Sequence, residues 1–220
     1  MLKKVNTKKS YIVIFMLILI IATAIIVKQP PFMTLPLTIS IFIMLLQTSA
    51  NRYAHLIGGL NAALYAIVYM FMGIYASACS ALFFSCPLQI ITFLNWKKHA
   101  YKSSTVFKSL SAKARIILSI ATALCLTVVF FILYKNGNTY AMLDSTVTVL
   151  GLLVTFLSLL AYKEYPYINI VSSLISIFLQ AQICINDFRQ LPYLIYGVYA
   201  HICIIITAIN INKLYKEQNK

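Results

Sequence analysis

Long apolar runs separated by short polar breaks make up most of this chain. Because the hydrocarbon core of a bilayer is about 30 Å thick, a crossing helix needs about 20 apolar residues, and the first runs of about that length are 11–27 and 32–50. From 54 to 95 the chain stays apolar for 42 residues, which as one helix would be about 63 Å long. The chain must therefore reverse within this run, and Gly73 is the predicted turn.

Four more apolar runs follow a basic segment. They are separated by polar breaks and lie at 116–134, 140–162, 166–185 and 191–211. The first run of the chain follows four lysines and resembles a signal peptide, but more spans come after it, so we interpret it as an uncleaved helix. The pattern predicts an all-α polytopic membrane protein with eight transmembrane helices.

The composition agrees with a chain that lies mostly in a lipid bilayer. Hydrophobic residues make up 61% of it and charged residues 10%, against about 25% charged in soluble domains. The net charge of +14 comes from lysines and arginines clustered between apolar runs, so basic loops explain it better than nucleic-acid binding does. The five cysteines lie inside apolar runs without a C-x-x-C pair, which predicts free thiols and neither a metal site nor a cofactor.

The basic residues also predict an orientation. With eight spans and both termini in the cytoplasm, fifteen of the 18 lysines and arginines lie on the cytoplasmic side. Only Lys28, Lys135 and Arg189 lie outside. This asymmetry follows the positive-inside rule, and a miscounted span would move every later loop to the other side.

The longest basic segment divides the chain into two similar triplets of spans. The segments ITFLNWKK at 91–98 and ITAININK at 206–213 share Ile, Thr, Asn and Lys in register. A single span between the triplets gives both the same orientation, so we predict a parallel repeat. The predicted units are an N-terminal segment with an extra helix (1–31), a first three-helix bundle (32–95), a basic cytoplasmic loop (96–115), a linker helix (116–139), a second bundle (140–212) and a tail (213–220).

Several predicted spans carry polar residues along one helical face. Asn61 and Tyr65 are four apart, and Gln89 lies on a polar face of the next span. The second triplet contributes Ser173, Ser176, Tyr196 and Tyr199. Such faces point away from lipid, and they either pack helices against one another or surround a solute. For Asp144, near the outer end of its span, a pathway role and a capping role both remain open.

The motifs that are missing narrow the function. No phosphate-binding glycine loop, no H-E-x-x-H motif and no carboxylate pair within one span is present, so the sequence does not predict an enzyme. No lysine or arginine lies in the middle of a span, which disfavours a phosphorylated solute. A neutral or cationic aromatic solute fits tyrosines, asparagines and glutamines better.

Short motifs in the first half resemble the PnuC family of vitamin transporters. They are RY at 52–53, GGLN at 58–61, GIY at 73–75, PLQ at 87–89 and WKK at 96–98. The resemblance implies a SWEET-like fold of two parallel three-helix bundles joined by a linker helix (3+1+3), a homotrimer, and facilitated diffusion across the bacterial inner membrane. It further implies nicotinamide riboside as the substrate, trapped inside by a cytoplasmic nucleoside kinase.

The second half departs from the family pattern W-x-x-W-x-x-x-N. The matching stretch 165–173 contains Tyr167 but no tryptophan, and Ser172 or Ser173 falls where the asparagine would be. We therefore keep a deoxyribonucleoside or thiamine as alternative substrates, and a non-transporting membrane scaffold as a rival function. The predicted substrate-binding residues are Asn61, Tyr65, Gln89, Asp144, Tyr167, Ser173, Ser176, Tyr196 and Tyr199.

Overall fold

The computed structural model describes residues 7–219, with side chains from residue 11 onward, and its described part is built almost entirely of helices. The helices are α1 (Thr7–Ile26), α2 (Pro31–Thr48), α3 (Tyr53–Phe71), α4 (Tyr75–Ser80), α5 (Cys86–Lys98), α6 (Ala112–Lys135), α7 (Ala141–Leu159), α8 (Tyr165–Asn186) and α9 (Leu191–Gln218). A π-helical turn, Ala81–Ser85, joins α4 to α5, and a 3₁₀ turn, Phe188–Gln190, precedes α9. The prediction of an all-α polytopic membrane protein is confirmed.

Seven helices of the described chain are long and apolar enough to cross a membrane. They are α2, α3, the continuous helix Tyr75–Lys98, α6, α7, α8 and α9 with its preceding turn. The predicted span 11–27 corresponds to α1, a helix of 20 residues whose side chains are described from Tyr11 to Ile26, and this part is apolar. The described residues therefore give seven candidate spans and one further apolar helix, and the predicted count of eight spans is not confirmed.

The long apolar run 54–95 reverses at the predicted glycine. Helix α3 ends at Phe71, α4 begins at Tyr75, and Gly73 between them has a φ angle of +72°. A side chain is disfavoured in this left-handed region, whereas glycine adopts it freely. The reversal makes α3 and the helix Tyr75–Lys98 neighbours that pack along their length.

The helices form two groups that face each other. Helix α3 packs with both α2 and the helix Tyr75–Lys98, and α8 packs with both α7 and α9. Between the groups, α2 packs against α9, and α7 packs against α4 and α5. Helix α6 packs on α7, and α1 packs on α2 and α9.

The first helices of the two groups end in the same way. Two residues after α2, Ala50 has a φ angle of +48°, and two residues after α7, Ala161 has a φ angle of +58°. Alanine rarely adopts this conformation. Its occurrence at matching places indicates that the two groups repeat a common local geometry.

The basic segment after α5 is folded against the helix ends. It contains the short antiparallel strands β1 (Ala100–Tyr101) and β2 (Ser104–Thr105). Phe107 and Leu110 are buried in a cluster with Trp96, Leu157 and Ile211. The segment thus closes one end of the helix assembly with apolar side chains.

Candidate functional site

A cavity of about 370 Å³ lies between the two groups of helices. Both groups contribute to its wall, and the polar groups in that wall are hydroxyls, phenols, amides and one imidazole. Among the described residues, no lysine, arginine, aspartate or glutamate lines it. The cavity volume falls within the range of about 300–1,000 Å³ that is usual for small-molecule sites.

Six of the predicted substrate-binding residues lie in the wall of this one cavity. The first group of helices contributes three of them and the second group contributes the other three. They are Asn61, Tyr65, Gln89, Ser173, Ser176 and Tyr196. The structure therefore brings together residues that are up to 135 positions apart in the sequence, between Asn61 and Tyr196.

The amide of Asn61 is held in a fixed orientation. Its Nδ2 donates to the carbonyl oxygen of Pro36 at 3.0 Å and to Ser40 Oγ at 2.8 Å. A carbonyl oxygen can only accept, so the NH₂ group must be the one that faces Pro36. The buried Oδ1 of Asn61 has no partner in the described part of the chain. A buried acceptor without a donor is costly, and a donor on a bound solute would satisfy it.

Two glycines allow the helix that carries Gln89 to lie close to α3. A Cβ atom on Gly59 would stand 3.0 Å from the carbonyl oxygen of Cys86 and 3.1 Å from Ile90 Cγ1. A Cβ atom on Gly58 would overlap Oε1 of Gln89 itself. The GG pair therefore positions the Gln89 amide, which has no hydrogen-bond partner among the described residues.

Helix α8 presents a row of small polar side chains to the cavity. Ser173 Oγ is 3.0 Å from the carbonyl oxygen of Ile170 and 2.8 Å from Nδ1 of His201. About one and two helical turns further on, Ser176 and Gln180 line the same cavity. The buried Oε1 of Gln180 has no partner in the part of the chain that the structure describes, so it is a second acceptor available to a solute.

Tyrosine rings form the wall toward the end of the cavity where α3 ends. The rings of Tyr65 and Tyr69 are 5.4 Å apart, and those of Tyr65 and Tyr193 are 6.2 Å apart. Tyr196 also lines this region, and the Tyr65 hydroxyl lies 2.9 Å from Ser40 Oγ. Ring faces and hydroxyls on one wall can hold an aromatic solute by stacking and by hydrogen bonds.

Asp144 lies outside the cavity wall, although it was predicted to bind substrate. It is fully buried and accepts hydrogen bonds from the backbone N–H groups of Ala76 at 3.1 Å and Ser77 at 3.0 Å, and from the Ser77 hydroxyl at 2.5 Å. These N–H groups belong to the first turn of the helix Tyr75–Lys98, where they lack partners within the helix. A carboxylate there also faces the positive end of the helix dipole. The geometry favours capping, one of the two roles left open by the sequence, over substrate binding.

Tyr167 and Tyr199 also lie outside the cavity wall. Tyr167 is 49% exposed on the outer surface of α8, next to a separate groove. Tyr199 is buried in the apolar core, with its ring 6.4 Å from that of Tyr196. Tyr196 and Tyr199 are three positions apart on one helix, so their side chains point in similar but not identical directions, and only Tyr196 reaches the cavity.

Sequence reasoning missed Ser40, which bonds both Asn61 and Tyr65. A weak signal was present, because Ser40 and Gln47 are seven positions apart in one span and both line the cavity. Such a spacing places two side chains on one face of a helix. Gln180 shares the polar helical face of Ser173 and Ser176, which was a signal, although it was not among the predicted substrate-binding residues. Tyr193 gave less signal, since nothing in the sequence distinguishes it from other interfacial residues.

A helical membrane protein with a polar, uncharged chamber between two groups of helices has the architecture of a transporter for small solutes. The family model described as nicotinamide mononucleotide transporter matches residues 31–211. The chain belongs to this family, and the resemblance to PnuC proteins is confirmed.

Other comparisons define the fold. A structure titled "Crystal structure of the Vitamin B3 transporter PnuC" superposes on this chain with a TM-score of 0.83, covering 97% of this chain and 94% of that one. The sequences are 19% identical, so this likeness concerns the fold. No curated protein sequence matches the chain.

Proposed function

We propose that the protein is a uniporter that imports a nucleoside-like vitamin precursor by facilitated diffusion, with nicotinamide riboside as the leading substrate. Membership of the nicotinamide mononucleotide transporter family supports the solute class. The observation that carries the proposal is the central cavity, whose uncharged polar wall comes from both groups of helices. A scaffold without a solute path has no need of such a chamber, so the cavity favours transport over the rival function.

The wall of the cavity favours the riboside over the mononucleotide. A phosphate monoester carries a charge of about −1.5 to −2 at neutral pH and would need a cationic partner away from water. No described lysine or arginine lines the cavity. The unpaired oxygens of Asn61 and Gln180 are instead suited to accept hydrogen bonds from ribose hydroxyls or from a carboxamide.

We propose that the two groups of helices are the equivalent bundles of a 3+1+3, SWEET-like repeat, with α6 as the linker and α1 as the extra helix. Asn95 and Asn210, which are in register in the two repeats, support this. Asn95 Nδ2 donates to the carbonyl oxygen of Leu159 at 2.6 Å, and Asn210 Nδ2 donates to that of Thr48. Leu159 and Thr48 are the last residues of α7 and α2.

The opposite end of the assembly repeats this cross-bundle pairing. The Tyr193 hydroxyl donates to the carbonyl oxygen of Met33 at 2.6 Å, while Ser77 donates to Asp144. Met33 lies near the start of α2 and Asp144 near the start of α7. Each bundle is thus bonded to the other at both ends of the cavity. When the bonds at one end of the cavity break and those at the other end stay formed, the cavity opens to one side of the membrane at a time.

The missing tryptophans leave the substrate ranking to experiment. We expect purified protein in proteoliposomes to equilibrate labelled nicotinamide riboside faster than thymidine or thiamine, and to exclude nicotinamide mononucleotide. At zero membrane potential, dissipating sodium and proton gradients leaves a uniporter's flux unchanged. Faster flux of thymidine or thiamine would assign that solute as the substrate in place of nicotinamide riboside. No flux of nicotinamide riboside, thymidine or thiamine would refute the transport proposal.

Several further properties belong to the same proposal. We place the protein in the bacterial inner membrane with both termini in the cytoplasm, as the asymmetry of basic residues predicts. A homotrimer and trapping of the solute by a cytoplasmic nucleoside kinase complete the proposal. Vesicles loaded with such a kinase and ATP should accumulate label above the external concentration, whereas empty vesicles should only equilibrate.

A further inference from the structure

A second cavity lies on the outside of the helix assembly, away from the proposed solute site. It is a groove of about 360 Å³ between α8 and α9. Its lining residues are Tyr167, Ile170, Ile205, Ala208, Ile209, Asn212, Lys213 and Lys216. We propose that this groove binds an anionic phospholipid, with an acyl chain along the isoleucines and the phosphodiester head group on the two lysines.

The groove is divided into an apolar and a polar part. Ile205 and Ile209 are 39% and 52% exposed on the surface that faces lipid, and Ile170 lies opposite them on α8. Lys213 and Lys216 follow on the same helix at one end of the groove, with Asn212 beside them. An apolar trough that ends in two cations and an amide matches the two parts of a phospholipid.

The position of the lysines along α9 corresponds to the surface of a bilayer. With a rise of about 1.5 Å per residue, Lys213 lies about 33 Å from the first residue of α9. The hydrocarbon core is about 30 Å thick, so the charged end of the groove falls at head-group level. Tyr167 lines the groove at the start of α8, and tyrosine is enriched at this depth in membrane proteins.

The described residues do not neutralise the charge of the polar end. Neither lysine forms an ion pair with a described residue, and no carboxylate lines the groove. The two glutamates nearest in sequence bond elsewhere, because Glu217 pairs with Lys102 at 2.6 Å and Glu164 pairs with Arg115 at 3.1 Å. An anionic head group is therefore the complementary partner.

Native mass spectrometry of the full chain in detergent tests the assignment. We expect phosphatidylglycerol to be retained more strongly than phosphatidylcholine with the same acyl chains. Each basic residue near an anionic lipid surface contributes about fivefold in affinity, so the variant Lys213→Gln/Lys216→Gln should lose roughly tenfold to thirtyfold for phosphatidylglycerol. The matched control Lys97→Gln/Lys98→Gln removes two exposed lysines at the end of α5 and should stay within twofold.

A second variant and two competitors separate the acyl-chain part from the head-group part. Ile205→Ala/Ile209→Ala shortens the apolar wall and should weaken both lipids while keeping their order. Soluble glycerol phosphate, which lacks acyl chains, should not displace phosphatidylglycerol. Equal retention of the two lipids, unchanged binding by the lysine variant, or displacement by glycerol phosphate would overturn the proposal. A change of oligomeric state in the lysine variant without a change in lipid binding would assign the groove to a second copy of the chain.

Discussion

Replacing Asp144 distinguishes a helix cap from a substrate ligand. Its carboxylate accepts from two backbone N–H groups at the start of the helix Tyr75–Lys98 and from the Ser77 hydroxyl. Thr148 Oγ1 and Asn138 Nδ2 approach it at 3.4 and 3.3 Å. Asp144 is fully buried, so these donors are paired by its carboxylate and not by bulk water.

The structure sets the expected size of the effect. In Asp144→Ala both backbone donors, on Ala76 and Ser77, lose their acceptor, and a buried unsatisfied donor costs about 1–3 kcal/mol. We expect a loss of roughly 2–6 kcal/mol in the free energy of unfolding. Asp144→Asn keeps one acceptor oxygen, so about half of that loss is expected, and the Ser77 hydroxyl can turn toward Thr148, 3.2 Å away.

The assay combines stability with ligand affinity. Thermal unfolding in detergent should show both variants less stable, with Asp144→Ala the lower, while the folded fraction of Asp144→Asn binds nicotinamide riboside with an affinity within about threefold of the parent. Thr146→Ala on the same helix is a control, because its hydroxyl bonds only within the helix. Unchanged stability together with a tenfold loss of affinity would refute capping and return Asp144 to the solute site.

Three further outcomes are expected. Gln89→Ala should weaken solute binding by roughly tenfold, the scale of one lost hydrogen bond, whereas the exposed Gln182→Ala should not; equal affinities in an equilibrium binding titration would contradict the assigned wall. Asn95→Leu and Asn210→Leu should each lower the free energy of unfolding by about 0.6 kcal/mol, and the two decreases should add in the double variant. A decrease in only one of the two single variants would contradict the equivalence of the bundles. Arg189 holds the pKa of the Asp187 carboxyl below its ordinary value of 3.8, so the pair stabilises the fold above pH 3.8 and loses this contribution as the pH falls further. For an exposed pair the contribution to the free energy of unfolding is below about 1 kcal/mol. The pair should therefore cause no change in melting temperature between pH 5 and 8, and the decrease that it causes at lower pH should be absent in Asp187→Asn.

Hydropathy predicted much of the fold because the bilayer imposes a simple constraint. Every backbone polar group in hydrocarbon must be bonded within its own segment, so apolar runs become helices of a fixed minimum length. The reversal at Gly73 was predictable for the same reason, since one helix of 42 residues exceeds the bilayer. The count of eight spans is not confirmed, because the side chains of α1 are described only for its apolar part Tyr11–Ile26.

The candidate site was only partly visible in the sequence. Helical spacing identified Asn61 and Gln89 as polar residues on inward faces, and both line the cavity. The same spacing cannot separate a residue that lines a chamber from one that lies a helical turn away or on the outer surface. Tyr199 in the core and Tyr167 on the outer groove show this, because the rotation of each helix is fixed by its neighbours.

The sequence by itself determined that the chain is a bundle of membrane helices with basic ends and an uncharged polar interior, since those properties depend on local composition and period. Only the tertiary structure decided which polar groups meet. Asp144 reaches the helix that begins at Tyr75, Asn95 and Asn210 reach the ends of opposite helices, and the Asn61 oxygen has no partner among the described residues. Such pairings depend on the rotation and crossing of helices far apart in sequence, and a one-dimensional pattern does not contain these quantities.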